Sequence, residues 1–331
     1  MGMKKNVGKL FLDGKLLLVM GVIILLMAYF DPTFYNPLNL INIISHVSIN
    51  GIMAMGMTLL MISRAFDMSI GSILVLSGVI TVMLVKQIGI PLAIIVGILS
   101  GIPMGLLNGI LVAKFKINSF IATLGTMVIF QGLAFSLTNM KPVSSRNPLF
   151  QLFATYEIFK DVPIVVLYFV ILIGLVWFIA GFTRLGKNAY AIGGNREACR
   201  MMGIRVDFYS IIFFMISGVL ASFAGVVLSS KIDAASAVFG ENIGLQVIAG
   251  IVIGGVSLMG GVGKVFGVVQ GIILLGLVEN ITMYLGLFGY YQLLFRSLVL
   301  LGVVIFDITY LNVANRMSER TSFQNIKQSF P

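Results

Sequence analysis

Long apolar runs and short polar interruptions alternate along nearly the whole chain. The runs cover residues 16–30, 41–62, 70–85, 90–112, 117–137, 163–182, 208–230, 244–259, 265–285 and 291–310. Most approach the ~20 apolar residues that a helix needs to cross the hydrocarbon core of a bilayer. Inside lipid a helix satisfies its own backbone polar groups, so runs of this kind predict helices. The pattern therefore predicts an all-α integral membrane protein of about ten transmembrane helices. The first run is short, and a snorkelling Lys15 lets Phe11 and Leu12 join it. A charged stretch precedes it, as in a signal peptide. Tyr29, Phe30, Asp31 and Pro32 make a poor cleavage site, so a retained anchor is expected.

Three polar interruptions are long enough to matter. Residues 138–162 mix Lys141, Arg146, Glu157, Lys160 and Asp161 with apolar Leu149, Phe150, Leu152 and Phe153, a composition suited to a membrane interface or a plain connection. Residues 229–241 form a second candidate for contact on the same side. Residues 183–206 carry Arg184, Lys187, Arg196, Arg200 and Arg205 and have the shape of a short helix.

Composition agrees with the pattern. Of the 331 residues 59% are hydrophobic and only 10% charged, whereas a soluble domain carries about a quarter charged residues. The net charge of +10 is a matter of topology, because ten spans put both termini on one side and sixteen of the 22 Lys and Arg fall on that side. Five fall opposite (Lys86, Lys141, Arg146, Lys160 and Lys231), and Arg296 lies within the last run. By the positive-inside rule the richer side is the cytoplasm, and no nucleic acid is needed to explain the basic balance. The expected layout is a single transmembrane domain, residues 1–331, multi-pass in the cell membrane and surrounded by lipid. Residues 1–15 and 311–331 are its cytoplasmic ends, and 183–207 its cytoplasmic loop.

Chemistry is scarce. One His (His46) and one Cys (Cys199) supply too few ligands for a metal site, and the lone Cys excludes an internal disulfide. His46 reads as a packing residue. Gly250 to Gly267 is rich in glycine, but Lys264 is followed by Val265 and no strand precedes the run, so it is not a phosphate loop. Close backbone packing is the better account of those glycines. No catalytic residue, metal or cofactor is expected. Asp67, Glu279 and Arg296 are the ionisable residues placed near or within the bilayer, and each is a functional candidate because burying charge costs several kcal/mol. Pairing of Asp67 with Arg64, or of Glu279 with Arg296, is the structural alternative. So few buried titratable groups argue against a proton relay, and energy must then enter through a partner. Asn195 is a good N-cap, Arg196 to Met202 make about two turns, and Gly203 is a natural stop. Ala198, Met201 and Met202 offer an adaptable apolar contact, which makes this helix a plug for a groove on a soluble protein.

Three blocks carry a family resemblance. They are Phe66-Asp67-Met68-Ser69-Ile70-Gly71-Ser72, then Gly105 to Thr138, then Thr183 through Asp307 with Ala191-Ile192-Gly193-Gly194-Asn195 and Gly254-Gly255-Val256-Ser257-Leu258-Met259-Gly260-Gly261. In these blocks, and over roughly residues 20–310, the sequence resembles the permease subunits of ribose-type ABC sugar importers. The resemblance implies an ABC importer permease fold that dimerises, most simply as a homodimer. It implies contact with a cytoplasmic ABC ATPase, where ATP is hydrolysed, and delivery of cargo by an extracytoplasmic solute-binding protein. Asn195, Arg196, Glu197, Arg200, Met201 and Met202 become the expected ATPase-coupling residues, and Asp67, Ser69, Gln246, Glu279 and Asn280 the pathway or gate residues. The chain departs from the family at Arg64-Ala65 (often Gly-Gly), at Gly244-Leu245-Gln246 (often Glu-Leu-Asp, with Glu241 displaced outward) and at Glu279-Asn280 (often Asn-Asn). The expected function is thus the permease subunit of an importer, not an enzyme, for a monosaccharide or similar small polar solute. A nucleoside, an amino acid or a sugar-like signal on the same architecture, or an ion-coupled secondary transporter, are the alternatives.

Overall fold

A computed structural model describes residues 16–25, 27, 29, 34, 36–159, 161–240, 243–284, 286, 289, 291, 294, 297, 298, 301 and 302. The chain falls into two compact units, residues 1–277 and 278–331. The expected sites Lys160, Glu241 and Arg296, and both expected cytoplasmic ends, lie outside the described residues.

The elements in order are α1 (Leu16–Leu25), α2 (Pro37–Ile62), α3 (Ile70–Ile88), α4 (Ile90–Leu99), α5 (Gly101–Ala113), α6 (Ser119–Thr138) and α7 (Pro148–Thr155). A two-stranded antiparallel hairpin, β1 (Glu157–Phe159) and β2 (Val162–Pro163), follows. Then come α8 (Ile164–Phe182), α9 (Arg184–Gly194), α10 (Arg196–Met201), α11 (Val206–Ile232), α12 (Ile243–Ile253) and α13 (Val265–Tyr284). Among the described residues seven helical stretches are long and apolar enough to cross a membrane, with α4 and α5 acting as one; α1 and α12 are apolar but shorter. The run at 291–310 lies mostly outside the described residues.

Two runs differ from their predicted form for local reasons. The run at 90–112 is divided at Ser100, because Pro103 has no N–H to offer the carbonyl of Leu99. The run at 244–259 stops at Ile253, where Gly255 takes φ +85° and turns the chain back.

Helix α11 is the axis of the first unit, with α5, α3 and α2 packed along it. The α5 contact is backbone to backbone. Gly101, Gly105 and Gly109, four residues apart, face Gly218, Phe214 and Ile211, and a β-carbon on Gly105 would sit 2.8 Å from Met215 Cα. Close approach of this kind is how helices associate where lipid removes the hydrophobic drive.

The same contacts show that α3 begins deep in the bundle. Gly225 lies beside Leu74 and Gly78 beside Ser229, so α3 and α11 run parallel and Ile70 starts level with Ala221, halfway along α11. Residues 63–69 therefore climb, without helix, from the end of α2 into the middle of the protein. A second dip comes from the opposite end. After α11 the chain is held by a bridge between Val143 and Ala235 and by hydroxyls of Ser144 and Ser145 on the Asp233 carboxylate. It then descends until Gly240 meets Gly71: a β-carbon on Gly71 would lie 2.6 Å from the Gly240 carbonyl oxygen.

The long interruption at 138–162 is only partly an exposed surface. Leu149 and Leu152 of α7 are exposed, as an interfacial reading expects, but Phe150 is buried and Phe153 packs on Tyr168 and Phe223 at ring-centroid distances of 5.4 and 6.3 Å. In the second unit Thr282 donates to the Glu279 carbonyl at 2.7 Å on the last turns of α13.

Candidate functional site

Backbone chemistry at the end of α2 starts the first dip. The N–H of Ala65 bonds Leu60 O (3.1 Å) and that of Arg64 bonds Met61 O (3.0 Å), a Schellman closure with Arg64 at φ +66°. This turn points Arg64 out to an exposed position and sends Asp67 into full burial, so the Arg64–Asp67 pair that stood as the structural alternative does not form. Asp67 is met by neutral donors instead. Ser69 gives its N–H (2.8 Å) and its hydroxyl (2.6 Å) to Oδ1, and Asn108 of α5 gives Nδ2–H to Oδ2 at 3.1 Å. Asn108 also donates to Ser69 Oγ (2.8 Å) and accepts from the Thr126 hydroxyl of α6 (2.6 Å). Thr123 accepts from the Met68 N–H at 3.0 Å. Asp67 and Ser69 are thus brought together in one satisfied network that clamps the dip to α5 and α6. Its buried members are costly to leave unpaired, which is why it holds one shape.

A cavity of about 320 Å³ lies against this clamp. Met68, Gly71 and Ser72 form one wall and Leu124, Met127 and Gln131 of α6 the next. Gly240, Gly244 and Leu245, from the second dip and α12, close it. Ser72 and Gln131 supply the polar side chains of a mostly apolar chamber. Asp67 and Ser69 stand behind the wall and are not part of the lining. Gln246 is half-buried on α12, next to the lining residue Leu245. Glu279 and Asn280 are half-buried in the second unit. Non-helical backbone at depth, walled by protein and lining a cavity, is the arrangement membrane transport proteins use for passing solute.

At the basic end, α9 and α10 form a short helical pair. Asn195 caps α10 by accepting the Ala198 N–H at 2.9 Å, and Gly203 (φ +79°) closes it in a second Schellman turn. Cys199 faces inward, while Met201 and Met202 are 84% and 69% exposed. Arg196 is not displayed: it reaches back to the Ser210 hydroxyl of α11 at 3.1 Å. Burial, reinforced by neighbouring Arg200, pushes its guanidinium below the usual arginine value. Arg200 pairs with Glu197 (2.8 Å) and Asp207 (3.3 Å), and Asp207 also takes Lys116 at 2.7 Å. The expected coupling residues therefore divide into an exposed apolar tip, Met201 and Met202, and a set that fixes the helix, Asn195, Arg196, Glu197 and Arg200. Asn108, Thr126, Gln131, Lys116 and Asp207 were absent from the expected set. Asn108 and Gln131, amides within apolar runs, were the readable signals among them.

The chain is similar to known proteins along most of its length. Residues 39–304 match the family model described as branched-chain amino acid transport system, permease component. The ribose import permease of Bacillus subtilis is 36% identical over 289 residues, covering 86% of this chain and 89% of the relative. The L-arabinose transport system permease of Escherichia coli K12 is 35% identical over 302 residues (91% and 92%). The galactose/methyl galactoside import permease of Salmonella typhimurium is 31% identical over 315 residues (89% and 93%).

Proposed function

The chain belongs to the family of branched-chain amino acid transport system permease components, and from that membership we propose that it is the membrane-spanning subunit of an ATP-driven importer for a monosaccharide. The observation that carries the reading is α10, a doubly capped helix that projects two exposed methionines from the basic end. A helix built this way suits a groove on a soluble ATPase. The excess of Lys and Arg at that end makes it the cytoplasmic one, with both termini on the same side. The names of the relatives, import permeases for ribose and galactose and a transport permease for arabinose, favour a sugar as cargo. A cavity of about 320 Å³ has room for one such molecule.

In the mechanism, a solute-binding protein delivers cargo to the outer mouth, and a second permease subunit, most simply another copy, completes the path. ATP closes the ATPases, the closure moves α10, and the two permease subunits change between outward and inward access. The shift is set by how differently each state contacts the partners. Asp67 and Ser69 hold the cavity wall, Ser72 and Gln131 offer hydrogen bonds to passing solute, and Gln246, Glu279 and Asn280 are further candidates for pathway or gate residues. The largely apolar lining also admits an amino acid as cargo, in keeping with the family's own description.

The test is mild-detergent purification from native membranes with mass spectrometry of what co-purifies. A soluble ATPase retained by the parent and lost in Glu197→Arg/Met201→Asp establishes the reading. A partner-free protein that transports in an ion gradient without ATP overturns it.

A further inference from the structure

Gly193, one residue pair before the start of α10, rests directly on a backbone bridge between two distant parts of the chain. The N–H of Gly261 donates to the Ile62 carbonyl at 2.8 Å. This bond ties the end of α2, where the first dip begins, to the turns that follow α12. A β-carbon on Gly193 would collide with both the Ile62 oxygen and the Gly261 nitrogen. Around the bridge, Gly260 (φ +77°) sits against Arg64, where a β-carbon would be 3.0 Å from the Arg64 nitrogen. The Tyr190 hydroxyl of α9 donates to the Gly263 carbonyl at 2.8 Å.

Both arms that leave this bridge end in the cavity wall. Residues 63–69 lead to Met68 and Gly71 and are held along the way by the Asp67–Asn108 network. On the other arm α12, eleven residues and hence about 16 Å of rigid helix, leads back to Gly244 and Leu245. At their far ends the arms touch again, backbone to backbone, at Gly71 and Gly240. Contacts made by backbone atoms have no rotamers with which to absorb a displacement, and packed interiors yield little. We propose that the Gly193 seat on the Ile62–Gly261 bridge is the joint through which movement of α10 reaches the cavity wall, and that Gly193, Gly261 and Tyr190 are positioning residues for transport. The proposal rests on the importer reading.

Gly194 makes the test sharp. It neighbours Gly193 on the same turn, yet a β-carbon there would meet nothing within 4 Å. The complex of permease and co-purified ATPase is reconstituted in liposomes, with binding protein and its sugar outside, and sugar moved per ATP hydrolysed is measured. Cys199 is buried and is the only cysteine, so a Leu245→Cys background reports cavity-wall accessibility to a small thiol reagent with and without ATP. Gly193→Ala is expected to keep the ATPase bound and hydrolysing while sugar per ATP falls about tenfold, within the range of ordinary coupling energies. Its Leu245→Cys signal no longer changes with ATP, and Gly194→Ala behaves as the parent. Tyr190→Phe, which removes one hydroxyl and no packing volume, is expected to lower the ratio in the same direction and serves if Gly193→Ala does not insert. A parent-like ratio and a parent-like accessibility change in Gly193→Ala overturn the joint, as does a parent-like Tyr190→Phe where that variant is the one read. Absence of ATP-driven uptake in the parent overturns the importer reading, and the joint falls with it.

Discussion

Arg64 and Asp67 show how far three residues can separate two side chains. Their spacing suggested an ion pair, but the left-handed turn at Arg64 exposes one and buries the other. Non-glycine residues sit in that region at a cost of roughly 1–2 kcal/mol, and glycine gives back part of the gain through its freer unfolded chain. Arg64→Gly is therefore expected to stabilise the protein by up to about 1 kcal/mol, read as a raised Tm in detergent. Asp67 makes the opposite case. Replacing it by the isosteric Asn turns an amide N–H₂ toward either the Ser69 donors or the Asn108 Nδ2 donor, so at least one buried group loses its acceptor. Asp67→Asn is expected to cost about 1–3 kcal/mol, and a Tm equal to the parent's would show that the network does not hold the dip. None of this was legible from spacing, because Asn108 and Thr126 are 41 and 59 residues from Asp67 and only the fold brings them to it.

Elements governed by nearby residues were the legible ones. Helix α10 was readable because a cap, two turns and a glycine stop fall within nine residues. At six residues it is too short to persist on propensity alone, so it depends on its ends. The ion pairs of Arg200 and Asp207 are half-exposed and worth at most about 1 kcal/mol each. Asn195→Ala is expected to remove about 1 kcal/mol of cap and to speed amide hydrogen exchange over residues 196–201 while leaving exchange in α11 unchanged. Equal protection in the parent and in Asn195→Ala would place the stability of α10 elsewhere. The break at Ser100 and the early end of α12 did not show in hydropathy, which continues across both; Pro103 and Gly255 were their local marks. Apolar runs report burial in lipid and say nothing of where a helix must bend to meet a neighbour. The α5–α11 seam is the test at this scale. Gly105→Val forces a side chain into the backbone of Phe214 and Met215, whereas Gly125 of α6 faces open space. The first substitution is expected to abolish monodisperse folded protein on size exclusion, and Gly125→Val to leave it intact.

At the scale of the whole molecule, the two dips, the cavity between them and the glycine joint are one construction spread over some two hundred residues, from Ile62 to Gly263. The all-α, membrane-spanning character was legible because it is a sum over many residues. The cavity was not, because its walls come from four separate stretches, and the side chains that line it look like ordinary span residues. That lining bears on selectivity. A monosaccharide carries several hydroxyls, and tight recognition would need a partner for each, since a site built to bond a hydroxyl rejects an analogue lacking it by large factors. Here Ser72 and Gln131 are the polar side chains of the lining, too few to read a pattern of hydroxyls. The proposed importer must then leave the choice of sugar to its binding protein and use the chamber for passage. Gln131→Ala is expected to slow uptake several-fold, the loss of one or two hydrogen bonds at about 1 kcal/mol each, with the ratio of rates for two competing sugars unchanged. Exchanging the binding protein should change that ratio. A Gln131→Ala variant whose sugar preference shifts would instead place a specificity site in the permease itself, and the apolar chamber would have to close around its cargo more tightly than this structure shows.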